Sequence, residues 1–125
     1  MQELAELAVD AAVAAGAEFA DMRIVEERQN RVYVERRSLK LVDETESLGY
    51  GIRVLMNGAW GFASSTNMSR DGVAATARLA TQVAAASAMV PKPEPARMAP
   101  EAAATATLVG PCIEDPFAVS NREKA

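Results

Sequence analysis

The chain contains no histidine. Its residues therefore lack the commonest general base and the commonest metal ligand, and neither a histidine-based triad nor a histidine-containing zinc site can form from them. Cysteine is almost as scarce: Cys112 stands alone, so no internal disulfide is available. With no signal-like apolar stretch after Met1, this points to a reducing, cytoplasmic setting. No apolar run approaches the ~18 residues that a membrane-spanning helix needs, because the longest ones are Ala-rich and interrupted. Aromatics are only 5% of the chain, so the 50% hydrophobic content rests largely on alanine and favours close helix packing. Thirteen Lys and Arg against seventeen Asp and Glu leave a net charge of −4, which gives no electrostatic footprint for nucleic acid unless the basic residues are segregated on one face.

What is there suits one domain with a modest core, at 125 residues. The central stretch is residues 48–66, LGYGIRVLMNGAWGFASST. It reads as two strands joined at Asn57-Gly58, the dipeptide that most readily supplies both positive φ angles of a type I′ turn. That turn pairs Met56 with Ala59, Leu55 with Trp60, Val54 with Gly61 and Arg53 with Phe62. Alternation then separates two faces. Tyr50, Ile52, Val54 and Met56 lie beside the small Ala59, Gly61 and Ala63, a surface suited to a helix. The other face holds Gly49, Gly51, Arg53, Leu55, Trp60 and Phe62, with an Arg53–Phe62 cation–π pair expected there.

Ahead of the hairpin, residues 2–16 repeat apolar positions at Leu4, Leu7, Ala8, Ala11, Ala14 and Ala15, with Glu3, Glu6 and Asp10 opposite: an amphipathic helix ended by Gly16 in the left-handed C′ position. Residues 20–43 alternate with period two, and a hairpin or meander is expected, with a break at Gln29-Asn30. Arg28, Arg31, Arg36, Arg37 and Lys40 form a local basic group. The interleaved Glu26, Glu27, Glu35, Asp43, Glu44 and Glu46 make cross-strand ion pairs on a wet face the stronger reading than a phosphate-binding strip. After the central hairpin, Ser64, Ser65, Thr66, Asn67 and Ser69 offer N-caps for a second helix reaching about Ser87. Val73, Ala77, Ala80 and Ala84 make its apolar stripe, flanked by Leu79 and Val83, while Arg70, Arg78, Thr81 and Gln82 are expected in water.

At Pro91 the character changes. Pro91, Pro93, Pro95 and Pro100 favour an extended linker, and the Ala/Thr stretch after them has no period. The organisation expected is a domain over residues 1–90 and a tail over 91–125 that is poorly ordered or lies on the surface. Ser120 and Glu123 have the S-x-x-E form of a capping box, announcing a helix just where the sequence stops. The polypeptide is therefore expected to be a fragment cut as a next domain begins. The fold expected is α+β: a mainly antiparallel sheet of mixed-length strands, about four to six of them, with two Ala-rich helices packed on one face.

For chemistry, the glycines Gly49, Gly51, Gly58 and Gly61 do not make a phosphate cradle. Such a cradle needs a strand-to-helix turn, whereas these lie within a hairpin. Glycine in strands marks a bulge, a bend or close approach of another backbone, and an extended peptide can lie over such a surface. Arg53, Trp60 and Phe62 beside them are either a hot-spot cluster or the filling of a second small core. Cys112, between Pro111 and Ile113 with no histidine to activate it, reads as inert. No pair of acidic or hydroxyl residues has a catalytic spacing, so no catalytic and no metal-binding residue is assigned.

The first helix running into AGAEFADMRI, the segment GYGIRVLMNGAWGFASSTN, the second Ala-rich helix and the tail EDPFAVSNREK together resemble the N-terminal domain of the TldD/PmbA family, whose members are also called modulators of DNA gyrase. The resemblance covers essentially the whole chain, and Trp60 with DPFAVS resembles the TldD type more than its PmbA (TldE) partner. It implies a zinc-dependent peptidase acting on unfolded or short peptides, with zinc held by an H-E-x-x-x-H motif that this chain does not carry. It also implies a C-terminal catalytic domain of the same protein and a homodimer or a heterodimer with a PmbA/TldE-type subunit. The expected role here is noncatalytic: shaping the peptide channel or a subunit interface, with Gly49, Gly51, Arg53, Trp60 and Phe62 as the candidate contacts. A self-standing interaction module is the alternative; direct DNA or gyrase modulation is disfavoured by the net charge.

Overall fold

Asn57 and Gly58 adopt φ of 49° and 71°, and the tight turn they make registers the central hairpin as the alternation predicts: Met56 opposite Ala59, Leu55 opposite Trp60, Val54 opposite Gly61, Arg53 opposite Phe62. The computed structural model describes residues 1–91 and 93–125. In chain order they form α1 (Gln2–Ala14), β1 (Phe19–Glu35), β2 (Ser38–Met56), β3 (Ala59–Ser65), α2 (Arg70–Ala88) and the short α3 (Asn121–Lys124). The strands make one antiparallel sheet in the order β1-β2-β3. The residues cluster into two units, Met1–Glu26 with Leu48–Pro100 and Glu27–Ser47 with Glu101–Ala125.

In the first unit, one face of the hairpin carries the core. Tyr50, Ile52, Val54 and Ala63 are buried together with Ala8 and Ala12 of α1 and with Val73, Ala77, Ala80 and Ala84 of α2. Ile52, Val54 and Val73 are the largest side chains fully withdrawn from water, each stabilising by roughly 1.5–3 kcal/mol. With so few large residues, stability depends on close backbone approach. Gly61 shows how close: a Cβ there would lie 2.1 Å from the Ala80 carbonyl oxygen and 2.3 Å from the Ala84 nitrogen. Only glycine lets α2 rest on β3 at this separation.

Local signals set the helix ends. Gly16, at φ 97°, closes α1 with a Schellman pattern in which the Ala17 amide donates to Ala12 O (3.1 Å) and the Gly16 amide to Val13 O (2.9 Å). Ser69 caps α2, its hydroxyl accepting from the Gly72 amide at 3.1 Å. The buried Tyr50 hydroxyl donates to Asn67 O (3.1 Å) and lies 3.0 Å from Thr76 Oγ1, tying β2 to the start of α2. The buried stripe of α2 departs from expectation at Thr81, which is 5% exposed because its hydroxyl donates to Ala77 O within the helix (2.9 Å). Leu79 is exposed instead, on the solvent side of the helix.

Among the described residues the sheet has three strands, not the four to six expected. Gln29-Asn30 does not break the chain: β1 runs straight through it for 17 residues. The reversal comes at Arg36-Arg37, with φ of 49° and 61°. Alternation that suggested several short strands thus belongs to two long ones.

In the second unit, cross-strand pairing accounts for part of the basic group, since Arg28 pairs with Glu44 and, at 3.4 Å, with Glu46. The Arg28 guanidinium also lies 4.8 Å from the centre of the Phe117 ring, and the Lys124 ammonium lies 5.9 Å from it. Lys124 donates to Asn30 Oδ1 (3.1 Å), and Asn30 donates to Asn121 Oδ1 (3.1 Å). Ser120 and Glu123 form the expected capping box of α3, so this turn of helix is held against β1 by a prearranged end. Among the described residues no helix is long and apolar enough to cross a membrane.

Candidate functional site

The face of the central hairpin opposite the core is built by all three strands. Gly51 and Arg53 come from β2, Phe62 from β3, and Asp21, Arg23 and Val25 from alternate positions of β1; these six line a shallow depression of about 280 Å³. Arg53 is its structural hinge. Its Nε donates to Asp21 Oδ2 at 3.0 Å and its Nη2 donates to the same oxygen. The guanidinium lies 4.7 Å from the Trp60 ring centre and 5.9 Å from that of Phe19, and these two rings meet edge to face at 6.0 Å and 86°. Salt bridge and aromatic contacts together hold the Arg53 plane in one orientation.

This corrects the expected Arg53–Phe62 pair. Arg53 and Phe62 are cross-strand partners, yet the described cation–π contacts of Arg53 are to Trp60 and Phe19. The cause is spatial. Phe62 leans over Gly51, where a Cβ would lie 2.7 Å from its Cε2, while Asp21 draws the guanidinium to its own strand. Aromatic cover of a strand glycine is a recurrent way to shield bare backbone.

Of the five residues singled out from the sequence, Gly51, Arg53 and Phe62 meet in the depression. Trp60 is half-buried beside it, and Leu55, opposite Trp60, is buried. Gly49 is not in the lining; a Cβ there would make ordinary contact with Ser65 O at 3.6 Å. Sequence reasoning missed Asp21, Arg23, Val25 and Phe19. The period-two alternation of β1 does put residues 21, 23 and 25 on one side, but not beside Gly51 and Arg53 unless the pairing of β1 with β2 is known.

The donor chemistry does not fit a zinc ion. There is no histidine, and among the described residues no group of three or more Cys, Asp or Glu side chains is placed to hold a metal. Asp21 is committed to Arg53.

The arrangement defines an α+β domain whose sheet is closed by helices on one face and presents an arginine–aromatic cluster and an open depression on the other. The family model for PmbA/TldA metallopeptidase domain 1 matches residues 20–84, which include every residue lining the depression; the chain belongs to this family. No curated protein matches the chain.

Proposed function

We propose that this chain is the noncatalytic first domain of a TldD-type, zinc-dependent peptidase acting on unfolded or short peptides in the cytoplasm. Its outer sheet face, with Gly51, Arg53, Trp60 and Phe62 at the centre and Gly49 beside them, helps shape the peptide channel or a subunit interface. The observation that carries this reading is the coincidence of the family match with the three strands that build the open face. In this reading zinc and hydrolysis belong to a catalytic domain of the same protein, with a second subunit, identical or of the PmbA type, as partner. Residues 1–90 are the working domain in this scheme, and residues 91–125 connect it onward.

The physical basis is preorganisation. Arg53 is locked by Asp21 and Trp60 before any ligand arrives, so little side-chain entropy remains to be lost on contact. In the full-length enzyme, Trp60→Ala should lower peptide cleavage or subunit association while the isolated chain still folds. If only the isolated chain loses stability and cleavage and association are unchanged, the outer face is core and the reading fails.

A further inference from the structure

We infer that the depression on the outer face is a subsite for the carboxyl end of a peptide, taking one large apolar side chain between Val25 and the Phe62 ring and pairing the free α-carboxylate with Arg23. The inference rests on the reading of this face as a peptide contact and specifies which part of a peptide it takes. Size is the first argument: about 280 Å³ accommodates a single large side chain and not a length of chain. Its walls are apolar and open to water. Val25 is 59% exposed and Phe62, whose ring covers Gly51, is 60% exposed. Apolar surface left in solvent on two sides of a depression gains from covering by a third apolar group.

Charge selects among the apolar groups that would fit. Three ionisable side chains line the depression: Asp21, Arg23 and Arg53. Arg53 is neutralised by Asp21 and stacked on Trp60. Arg23 makes no ion pair among the described residues, so the depression keeps one uncommitted positive charge at its edge. A ligand that matches must bring an apolar side chain and an anion together within one residue. An internal apolar residue offers no anion and an acidic residue offers no apolar body, whereas an apolar C-terminal residue offers both. Guanidinium forks match carboxylates in geometry as well as in charge.

The test uses the full chain titrated with acetyl-Ala-Ala-Phe as the free acid, the same peptide as its C-terminal amide, and acetyl-Ala-Glu-Phe amide, followed by NMR shifts of residues 21–25, 51–53 and 60–62. The free acid should bind about fivefold more tightly than the amide, as expected of one exposed charge-assisted contact. Arg23→Gln should bring the acid to the level of the amide without changing the amide. Phe62→Ala, at an exposed position, should weaken the acid and the amide alike, because both place their terminal Phe against that ring. Equal binding of acid and amide, with shifts on this face, overturns the carboxylate subsite and leaves the face a peptide contact. Equal binding of the Glu-containing amide and the free acid overturns the assignment to a chain end. Absence of saturable shifts on this face with any of the peptides overturns the inference as a whole, while the broader reading is judged separately by Trp60→Ala in the full-length enzyme.

Discussion

Gly61→Ala and Gly51→Ala look alike in the sequence, two glycines on facing strands of one hairpin, yet the structure predicts opposite outcomes. At Gly61 the added Cβ meets backbone: Ala80 O at 2.1 Å, Ala84 N at 2.3 Å and Ala84 Cα at 2.9 Å. Real Cβ atoms essentially never approach within 3.0 Å, and a helix carbonyl cannot swing aside. The whole of α2 must therefore retreat along β3. That separation loosens Ala77, Ala80 and Ala84 from Ile52, Val54 and Ala63, contacts on which a core so poor in large residues depends. Overpacking that displaces backbone costs about 3 kcal/mol at the upper end of its usual range, well above the roughly 0.4–1 kcal/mol that alanine gains by restricting the unfolded chain.

At Gly51 the added Cβ meets only the Phe62 ring edge, at 2.7 and 2.8 Å, and Phe62 is exposed and free to turn. The expected change there is within about 1 kcal/mol of zero, since ring displacement and the alanine gain oppose each other. Urea unfolding followed by fluorescence of Trp60, the chain's single tryptophan, measures both. With an m-value of about 1.5–2 kcal/mol/M, Gly61→Ala should lower the midpoint by roughly 1.5–2 M and the thermal midpoint by roughly 10 °C, whereas Gly51→Ala should barely move either. If the two variants fall within about 0.5 kcal/mol of each other, close approach of α2 to Gly61 is not what this core depends on.

Tyr50→Phe removes the hydroxyl that Asn67 O and Thr76 share, and should cost about 1–2 kcal/mol in urea unfolding by leaving a part-buried carbonyl short of a donor. Replacing Arg36-Arg37 by Asn-Gly relieves two left-handed L-residues and should slow amide exchange across residues 30–42, with roughly 1–2 kcal/mol of local stability gained. Phe117→Ala removes the ring between Arg28 and Lys124 and should make residues 115–124 the first site of limited proteolysis. Hydrogen bonds from Ser120 hold the Glu123 carboxyl below the ordinary glutamate range. A lowered folded-state value means its contribution is present above the unfolded value of about 4 and is lost as pH falls through the folded value, so NMR signals of Asn121 and Lys124 should shift toward random coil below about pH 4 and hold steady above it.

The parts of this fold that are legible in the sequence are those settled by backbone rules acting within a few residues. Asn57-Gly58 dictates its turn, the turn dictates the register, and alternation then decides that Ile52 and Val54 face the helices while Arg53 and Phe62 do not. Gly16 and Ser69 end and begin their helices for equally local reasons. Where the reversal signal is absent the reading goes astray: Arg36-Arg37 carries no turn residue, so the bend was expected at Gln29-Asn30, where only polarity, and no need for positive φ, suggested it. The same limit governs the outer face. Arg53 and Phe62 are visible as neighbours because one short turn joins their strands, but Asp21, which orients Arg53, is brought in by a strand pairing 32 residues away in sequence. A depression lined by three strands is therefore hidden from any single-strand pattern, although each strand's alternation is plain. The residue that would choose its ligand, Arg23, looks in the sequence like one more charge on a wet strand; only the commitment of Arg53 to Asp21 makes it the cation left over.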